Sequence, residues 1–152
     1  MNVKDIVGYK DSFKKRNKRL LAEEMCVQYM KDNNIKHTRY GFDCLFEIDW
    51  RDFNKIPAKL RNTPDYVIFG DSNAYLLEVK GCHDILRLKI DDLKSYRFWK
   101  TMMDLFVFIY STRERKHKII TIDKLEEIAM ECTMSYYEEN NKAYYKIPWE
   151  KI

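Results

Sequence analysis

The stretch TPDYVIFGDSNAYLLEVKG, residues 63–81, predicts two strands joined by a tight turn. Its apolar runs, YVIF at 66–69 and YLL at 75–77, contain the aromatic, β-branched and aliphatic residues that strands favour. Between the runs lies GDSN at 70–73, a cluster of turn-forming residues. If these four residues form the turn, the two strands pair antiparallel and the register of the hairpin is fixed.

Two acids and a lysine come together at the open end of this hairpin. With the turn at 70–73, Asp65 and Glu78 face each other directly across the pair, where Cβ atoms lie about 5 Å apart. Like charges at that distance destabilise a hairpin, which indicates that a cation belongs between them. Glu78 and Lys80 are two residues apart and therefore share one face of the strand. We know no common structural need for such a cluster.

Pro64-Asp65, followed after twelve residues by Glu78-Val79-Lys80, resembles the motif of the PD-(D/E)xK nuclease superfamily. The resemblance implies that Asp65 and Glu78, joined by the Val79 carbonyl, hold Mg²⁺ or Mn²⁺. It also implies that Lys80 orients or activates the attacking water. The alternative is an ordinary hairpin in which Asp65 caps an edge and Lys80 points into solvent.

Length and composition predict one globular domain with a mildly basic surface. At 152 residues and 45% hydrophobic content, the chain is long enough for a core of its own. We see no repeat or linker, so a single domain is expected over residues 1–152. The net charge of +4 and the pI near 8.7 are compatible with a polyanionic partner without requiring one.

The sequence also indicates a compartment. No apolar run approaches the ~18 residues of a membrane span, and the N-terminal residues lack the apolar core of a secretory signal. The four cysteines are isolated, with no CxxC pair, so neither a zinc knuckle nor an iron–sulfur cluster is indicated. Free thiols fit a reducing environment, and we expect a cytoplasmic protein.

A first helix is expected from a cap at Asp11 or Ser12 to about Asp32. It begins with a basic cluster that includes Lys14 and Lys15. Each of these lysines on its own fits a solvated helix face. As a cluster they are candidates for contacting the phosphates of a nucleic acid.

Glu23 lies on the rim of the apolar stripe of this helix, whereas Glu24 points nearly the opposite way. Ala22-Glu23, followed by apolar residues at 26, 27 and 30, resembles the first helix of archaeal Holliday junction resolvases. The resemblance implies that Glu23 contributes to the metal site and that the protein forms a symmetric homodimer. A solvated Glu23 is the alternative, and the acids that could then complete the site are Asp43, Glu47 and Asp49.

Residues 85 to about 103 are expected to form a helix with one apolar and one basic side. In many PD-(D/E)xK nucleases the helix after the motif lysine carries a basic residue, and a tyrosine a turn later, near the phosphate. The candidates for contacting nucleic acid in this segment are Arg87, Lys89, Lys94 and Tyr96. The QxxxY pattern of RecB-type nucleases is not met, because Asp92 stands where the glutamine would be.

The second half of the chain predicts further strands and a helix. Residues 105–110, LFVFIY, are almost continuously apolar, as in a central strand buried on both faces. A strand at 119–122 and a helix that begins at Asp123 follow. The aromatic tail at 142–152 either forms an edge strand or packs on the sheet or on a second subunit.

Together these elements predict an α/β fold, with one mixed central sheet flanked by helices. Their order matches the αβββαβ core of the restriction-endonuclease-like fold, and the motif stretch also resembles the nuclease subunit of Tn7-type transposases and small phage nucleases. We therefore expect a Mg²⁺-dependent nuclease that hydrolyses DNA phosphodiester bonds, most simply as an endonuclease. The alternative is an inactive nuclease-like domain that binds DNA or a partner protein. The sequence leaves open DNA against RNA, the structure of the substrate and exonuclease action.

Overall fold

The computed structural model describes residues 3–41 and 50–152, and side chains within 18–41 and 51–152. The helices and strands in chain order are α1 (Val3–Asp32), β1 (Lys36–Arg39), α2 (Trp50–Phe53), α3 (Ala58–Arg61), β2 (Tyr66–Phe69), β3 (Ala74–Cys82), β4 (Ile85–Lys89), α4 (Ile90–Lys100), β5 (Leu105–Ser111), β6 (Lys116–Thr121), α5 (Ile122–Met130), β7 (Met134–Tyr136) and β8 (Ala143–Pro148). In this part of the chain, no helix combines the length and the apolar character that crossing a membrane requires.

The predicted hairpin is present, and its register is the one that the turn residues imply. β2 and β3 pair antiparallel, with Tyr66 opposite Leu77 and Phe69 opposite Ala74. The backbone N–H of Gly70 donates to the carbonyl of Asn73 at 2.8 Å and closes the turn. The same register brings the residues just before β2 next to the middle of β3.

The main sheet has five strands in the order β1-β2-β3-β5-β6. β3 and β5 run parallel, and the other neighbours run antiparallel, so the sheet is mixed as expected. Val107, Phe108 and Ile109 of β5 are fully buried, which confirms a strand covered on both faces. Alternate residues of β3 and β5 pack against α1 on one face and against α4 and α5 on the other.

The segment at 85–103 differs from the prediction. Ile85–Lys89 is the strand β4, and the helix α4 covers only Ile90–Lys100. In β4 exposed and buried residues alternate, because Leu86 and Leu88 face the core while the residues between them face outward. β4 pairs with β8, and β8 with β7, to form a second sheet of three strands in the order β4-β8-β7. The tail therefore contributes a middle strand rather than an edge strand.

The first helix also differs at its start. α1 begins at Val3 rather than at Asp11 or Ser12, and it ends at Asp32 as expected. Asn34 follows with φ of 54°, the left-handed conformation that asparagine tolerates at a helix C-terminus. The alternative acids Asp43, Glu47 and Asp49 lie outside the described residues.

Candidate active site

Asp65 is buried at the point where the chain enters β2. It is 5% exposed, and its Oδ2 accepts a hydrogen bond of 2.8 Å from the backbone N–H of Val79 on the opposite strand. Burial raises the pKa of Asp65, whereas this hydrogen bond and the charge of Lys80 lower it. The hairpin register thus fixes this carboxylate against β3, next to Glu78.

Glu78 and Lys80 lie side by side on β3. Lys80 Nζ is 3.1 Å from Glu78 Oε1, and the Glu78 side chain is only 12% exposed. Burial, followed by the nearby charge of Asp65, raises the pKa of Glu78 to about 7, although the charge of Lys80 and the hydroxyl of Tyr96 oppose the rise. Two acids that repel each other therefore share a desolvated position, with the lysine on the same strand.

The first turns of α4 hold both motif side chains in place. Lys80 Nζ donates to Asp92 Oδ2 at 2.9 Å, and the Tyr96 hydroxyl donates to Glu78 Oε1 at 2.9 Å. Burial alone would lower the pKa of Lys80, but Tyr96, Glu78 and Asp92 together raise it well above its usual value. Lys80 is therefore a firmly protonated ammonium. In the sequence, Asp92 was notable only because it replaces the glutamine of the QxxxY pattern. In the structure, its carboxylate contacts the ammonium of Lys80.

The expected role of Tyr96 in contacting nucleic acid requires a correction. Its side chain is 2% exposed and lies beneath Glu78 and Lys80, with Lys80 Nζ 5.6 Å from the centre of its ring. A residue so deeply buried has no surface to offer to a phosphate. Its hydroxyl instead donates a hydrogen bond to the carboxylate of Glu78.

Glu23 reaches the site through Arg39, a residue that the sequence reasoning missed. Arg39 Nη1 is 3.5 Å from Glu23 Oε2, and Arg39 Nη2 is 3.8 Å from Asp65 Oδ1. Glu23 also pairs with Arg19 one turn earlier on α1, at 3.2 Å. Glu24 is exposed, as expected. No motif distinguishes the arginine of β1 in the sequence, because its contacts depend on the antiparallel pairing of β1 with β2.

Gly81 allows α1 to approach the strand that carries the motif. A Cβ atom at this position would lie 2.6 Å from the backbone oxygen of Lys18 and 3.3 Å from Cβ of Ala22. Since the closest atom belongs to the backbone of a packed helix, no side-chain rotation could relieve the contact. The glycine after the motif lysine therefore sets how closely α1, and Glu23 with it, approaches Asp65.

The remaining candidates for nucleic-acid contact belong to three elements, β4, α4 and α1. Arg87 and Lys89 are exposed on β4 rather than on a helix, and Lys94 is exposed on α4. Lys14 and Lys15 belong to α1, but their side chains lie outside the described ones. The structure thus brings Asp65, Glu78 and Lys80 together, places Arg87 and Lys89 on one face of β4 and places Lys94 on α4.

The acids at this site suit a hard divalent cation. Among the described residues, no three His, Cys, Asp or Glu side chains form a group that could by itself hold a metal. Asp65 and Glu78 are nevertheless adjacent oxygen donors, and burial, followed by the nearby charge of Asp65, raises the pKa of Glu78. A cation between them would relieve that repulsion, and carboxylate and carbonyl oxygens are the ligands that Mg²⁺ accepts. The donor set therefore fits Mg²⁺ or Mn²⁺, with backbone oxygen or water completing the coordination.

The fold, a mixed sheet flanked by helices, is similar to that of solved nuclease structures, as the order of the elements predicted. The chain is similar to Hjc of Archaeoglobus fulgidus, a Holliday junction resolvase, with a TM-score of 0.52 and 14% identity over 88% of this chain and 86% of that one. It also resembles D212, a nuclease from a fusselovirus, with a TM-score of 0.49 and 10% identity over 89% of this chain and 82% of that one. No protein-family model and no curated protein matches the chain in sequence. At these identities the likeness concerns the fold, so the chemistry rests on the side chains.

Proposed function

We propose that this protein is a divalent-metal-dependent nuclease that hydrolyses DNA phosphodiester bonds. The observation that carries the proposal is the placement of Lys80 3.1 Å from Glu78, on the strand that also presents its backbone N–H to Asp65. Two buried acids and a protonated lysine on the hairpin of a restriction-endonuclease-like fold are the parts that such hydrolysis needs. The similarity to a Holliday junction resolvase favours DNA as the substrate.

Asp65 and Glu78 would hold Mg²⁺ or Mn²⁺, with the Val79 carbonyl as a further oxygen donor. When bound, the ion would lower the pKa of a coordinated water and neutralise negative charge on the phosphate. A carboxylate must be ionised to bind the metal. Because the pKa of Glu78 is about 7 without metal, the cation and a proton would compete for this carboxylate near neutral pH. The hydroxyl of Tyr96 favours the ionised form because it donates to the carboxylate.

Lys80 would stabilise charge rather than remove a proton. Its pKa is raised well above the usual value, so the amine is protonated at neutral pH and is unsuited to act as a base. Asp92 and Glu78 hold the ammonium from two sides at 2.9 and 3.1 Å. A fixed positive group of this kind stabilises the negative charge that develops on the phosphate in the transition state.

A second candidate function is supported by the charges within the site. Arg39 lies between Glu23 and Asp65, and Lys80 lies between Glu78 and Asp92, so each acid already has a basic neighbour. Such pairing also suits a nuclease-like domain that binds nucleic acid without cutting it. Cleavage activity and divalent-metal binding separate the two functions.

The decisive experiment incubates the wild-type protein with labelled DNA in Mg²⁺, Mn²⁺ or EDTA and compares two variants. Asp65→Ala should lose both Mn²⁺ binding and cleavage, because the carboxylate holds the ion before and during the reaction. Lys80→Ala should retain Mn²⁺ and DNA binding while its single-turnover rate falls about 10²-fold or more.

The matched control is Lys31→Ala, which removes an exposed lysine at the far end of α1 and should leave the rate unchanged. Cleavage that persists in EDTA, or a Lys80→Ala protein that cuts at the wild-type rate, would reject the mechanism. A wild-type protein that binds DNA but cuts none of the tested substrates in either metal would favour the second candidate.

A further inference from the structure

One face of the second sheet packs in the core, and the opposite face carries mostly exposed residues. Leu86, Leu88 and Ile147 belong to the inner face and are buried. The opposite side, which we call the outer face, consists of alternate residues of the three strands that share a register. These outer-face positions are Ile85, Arg87, Lys89, Ser135, Tyr144, Lys146 and Pro148. Three of the seven are basic and none is acidic.

Two basic residues of the outer face lie directly opposite each other on neighbouring strands. Arg87 and Lys146 are direct partners in the register of β4 and β8, and Lys89 lies two residues along β4 on the same face. All three are exposed, and within 18–41 and 51–152 none forms an ion pair with a carboxylate. Like charges at directly opposed positions destabilise a strand pair. An anion bound over the sheet would remove this cost.

A groove of about 790 Å³ passes over the outer face. Lys18 of α1 and the turn after β3 form its other wall. The Arg87 guanidinium lies 5.6 Å from the centre of the Tyr144 ring, which holds it over the floor. Three acids, Asp84, Glu138 and Glu139, also line the groove, and all three are in connecting segments rather than on the sheet. Asp84 faces Arg113 at 3.7 Å.

The groove lies near the candidate active site. Gly81, which lines it, directly follows Lys80 on β3. Tyr137, which also lines it, is within electrostatic reach of both Arg87 and Lys80, since both charges lower a pKa that burial raises. Lys89 Nζ lies 6.0 Å from the centre of the same ring. The basic floor of the groove is therefore within reach of a DNA strand that extends from the site.

We propose that this groove binds the DNA strand on one side of the cleaved phosphate, with Arg87 and Lys146, which line it, and Lys89, which lies beside them on the outer face, contacting its backbone. The proposal rests on the proposed function, because it assigns the substrate of that site to a surface. It commits to DNA because unpaired cations spaced along a groove match the repeated charge of a phosphate backbone. Contacts to the phosphate backbone fix the position of the DNA strand but do not distinguish one base sequence from another.

The test measures binding separately from cleavage. A fluorescently labelled DNA duplex with a single-stranded arm is titrated in EDTA at several salt concentrations, and the affinity is read by anisotropy. Arg87→Ala/Lys146→Ala should weaken binding about ten-fold and reduce the slope of log affinity against log salt by about two, because two phosphate contacts are lost. The charge-preserving Arg87→Lys/Lys146→Arg protein should keep most of the wild-type affinity and slope.

A matched double variant provides the control. Lys31→Ala/Lys36→Ala also removes two exposed lysines, but these lie at the C-terminal end of α1 and on β1, roughly 20 Å along the helix from Lys18. Its affinity and slope should equal those of the wild type. Equal losses in both double variants, or no loss in the Arg87/Lys146 variant, would overturn the proposal.

The outcome for the groove does not depend on whether the protein cuts. A protein without nuclease activity whose Arg87→Ala/Lys146→Ala variant loses affinity and salt slope supports the groove and rejects the nuclease. A protein that cuts, with unchanged DNA binding in that variant, rejects the groove and keeps the nuclease.

Discussion

Glu78→Gln tests the electrostatic core of the site, because it removes one charge and keeps the shape of the side chain. The pKa of Glu78 is raised from 4.5 to about 7 in the folded protein, chiefly by burial. Between these two values the folded state therefore binds more protons than the unfolded chain. The free energy of unfolding of the metal-free protein falls as the pH rises through this window, and the contribution of Glu78 is lost once the pH exceeds the folded pKa.

The size of the effect follows from the shift. One pKa unit corresponds to about 1.36 kcal/mol, so a rise from 4.5 to about 7 makes the ionised form of Glu78 cost about 3 kcal/mol in the folded state. Glutamine does not ionise and therefore does not carry this cost. Its amide must still find hydrogen-bond partners beside Lys80, but any loss of stability from that requirement is independent of pH. The difference in unfolding free energy between variant and wild type should therefore grow, in favour of the variant, by about 2 to 3 kcal/mol between about pH 5 and about pH 8.

The assay is urea denaturation in EDTA at several pH values, followed by fluorescence or circular dichroism. Glu24→Gln is the control, since this glutamate is exposed on α1, and its difference from the wild type should stay flat. Saturating Mn²⁺ should stabilise the wild type above pH 7 and have little effect on Glu78→Gln. Parallel pH profiles for the wild type and Glu78→Gln would refute the reasoning, because they would mean that Glu78 ionises without cost.

Two further substitutions test the packing around the site. Gly81→Ala should lower the free energy of unfolding by about 1 to 3 kcal/mol, because the added Cβ would lie 2.6 Å from the backbone of Lys18. Gly70→Ala is the control, since its added Cβ approaches no atom closer than 3.3 Å. It should lower the free energy of unfolding much less in the same denaturant titration. Tyr96→Phe should cost about 1.5 to 3 kcal/mol above pH 7 without metal, because it removes the hydrogen bond to the Glu78 carboxylate. The same loss should move the acidic limb of the pH–rate profile upward, and an unchanged limb would mean that the hydroxyl does not support the ionised form.

The hairpin could be predicted because its determinants are local. The turn at 70–73 fixes the register, and the register alone places Asp65 against β3 near Glu78 and Lys80. β5 was predictable for a similar reason, since a run that is apolar at every position must be covered on both faces. The roles of these residues in binding metal and cutting DNA stay predictions.

The strand β4 was predicted as part of a helix because its apolar residues fit both the two-residue period of a strand and the 3.6-residue period of a helix. Leu86 and Leu88 alternate with cations, as in a strand, but Leu86, Ile90 and Leu93 also fit one face of a helix. The pairing with β8, more than fifty residues later, decides between the two. Local propensity yields to such long-range pairing, and a single sequence does not reveal the partner strand.

Two residues of the site, Arg39 and Asp92, were not assigned to it from the sequence. Each carries the charge opposite to that of a motif residue. Arg39 comes from β1 and lies beside Asp65, while Asp92 comes from α4 and lies beside Lys80. A motif can specify the acids and the lysine because they occupy one hairpin, but their counterions come from other elements and depend on the tertiary fold. A cation that bound Asp65 and Glu78 would have to compete with Arg39 and Lys80 for the same oxygens. If the proposed metal site exists, the strength of metal binding would therefore depend on β1 and α4 as well as on the motif.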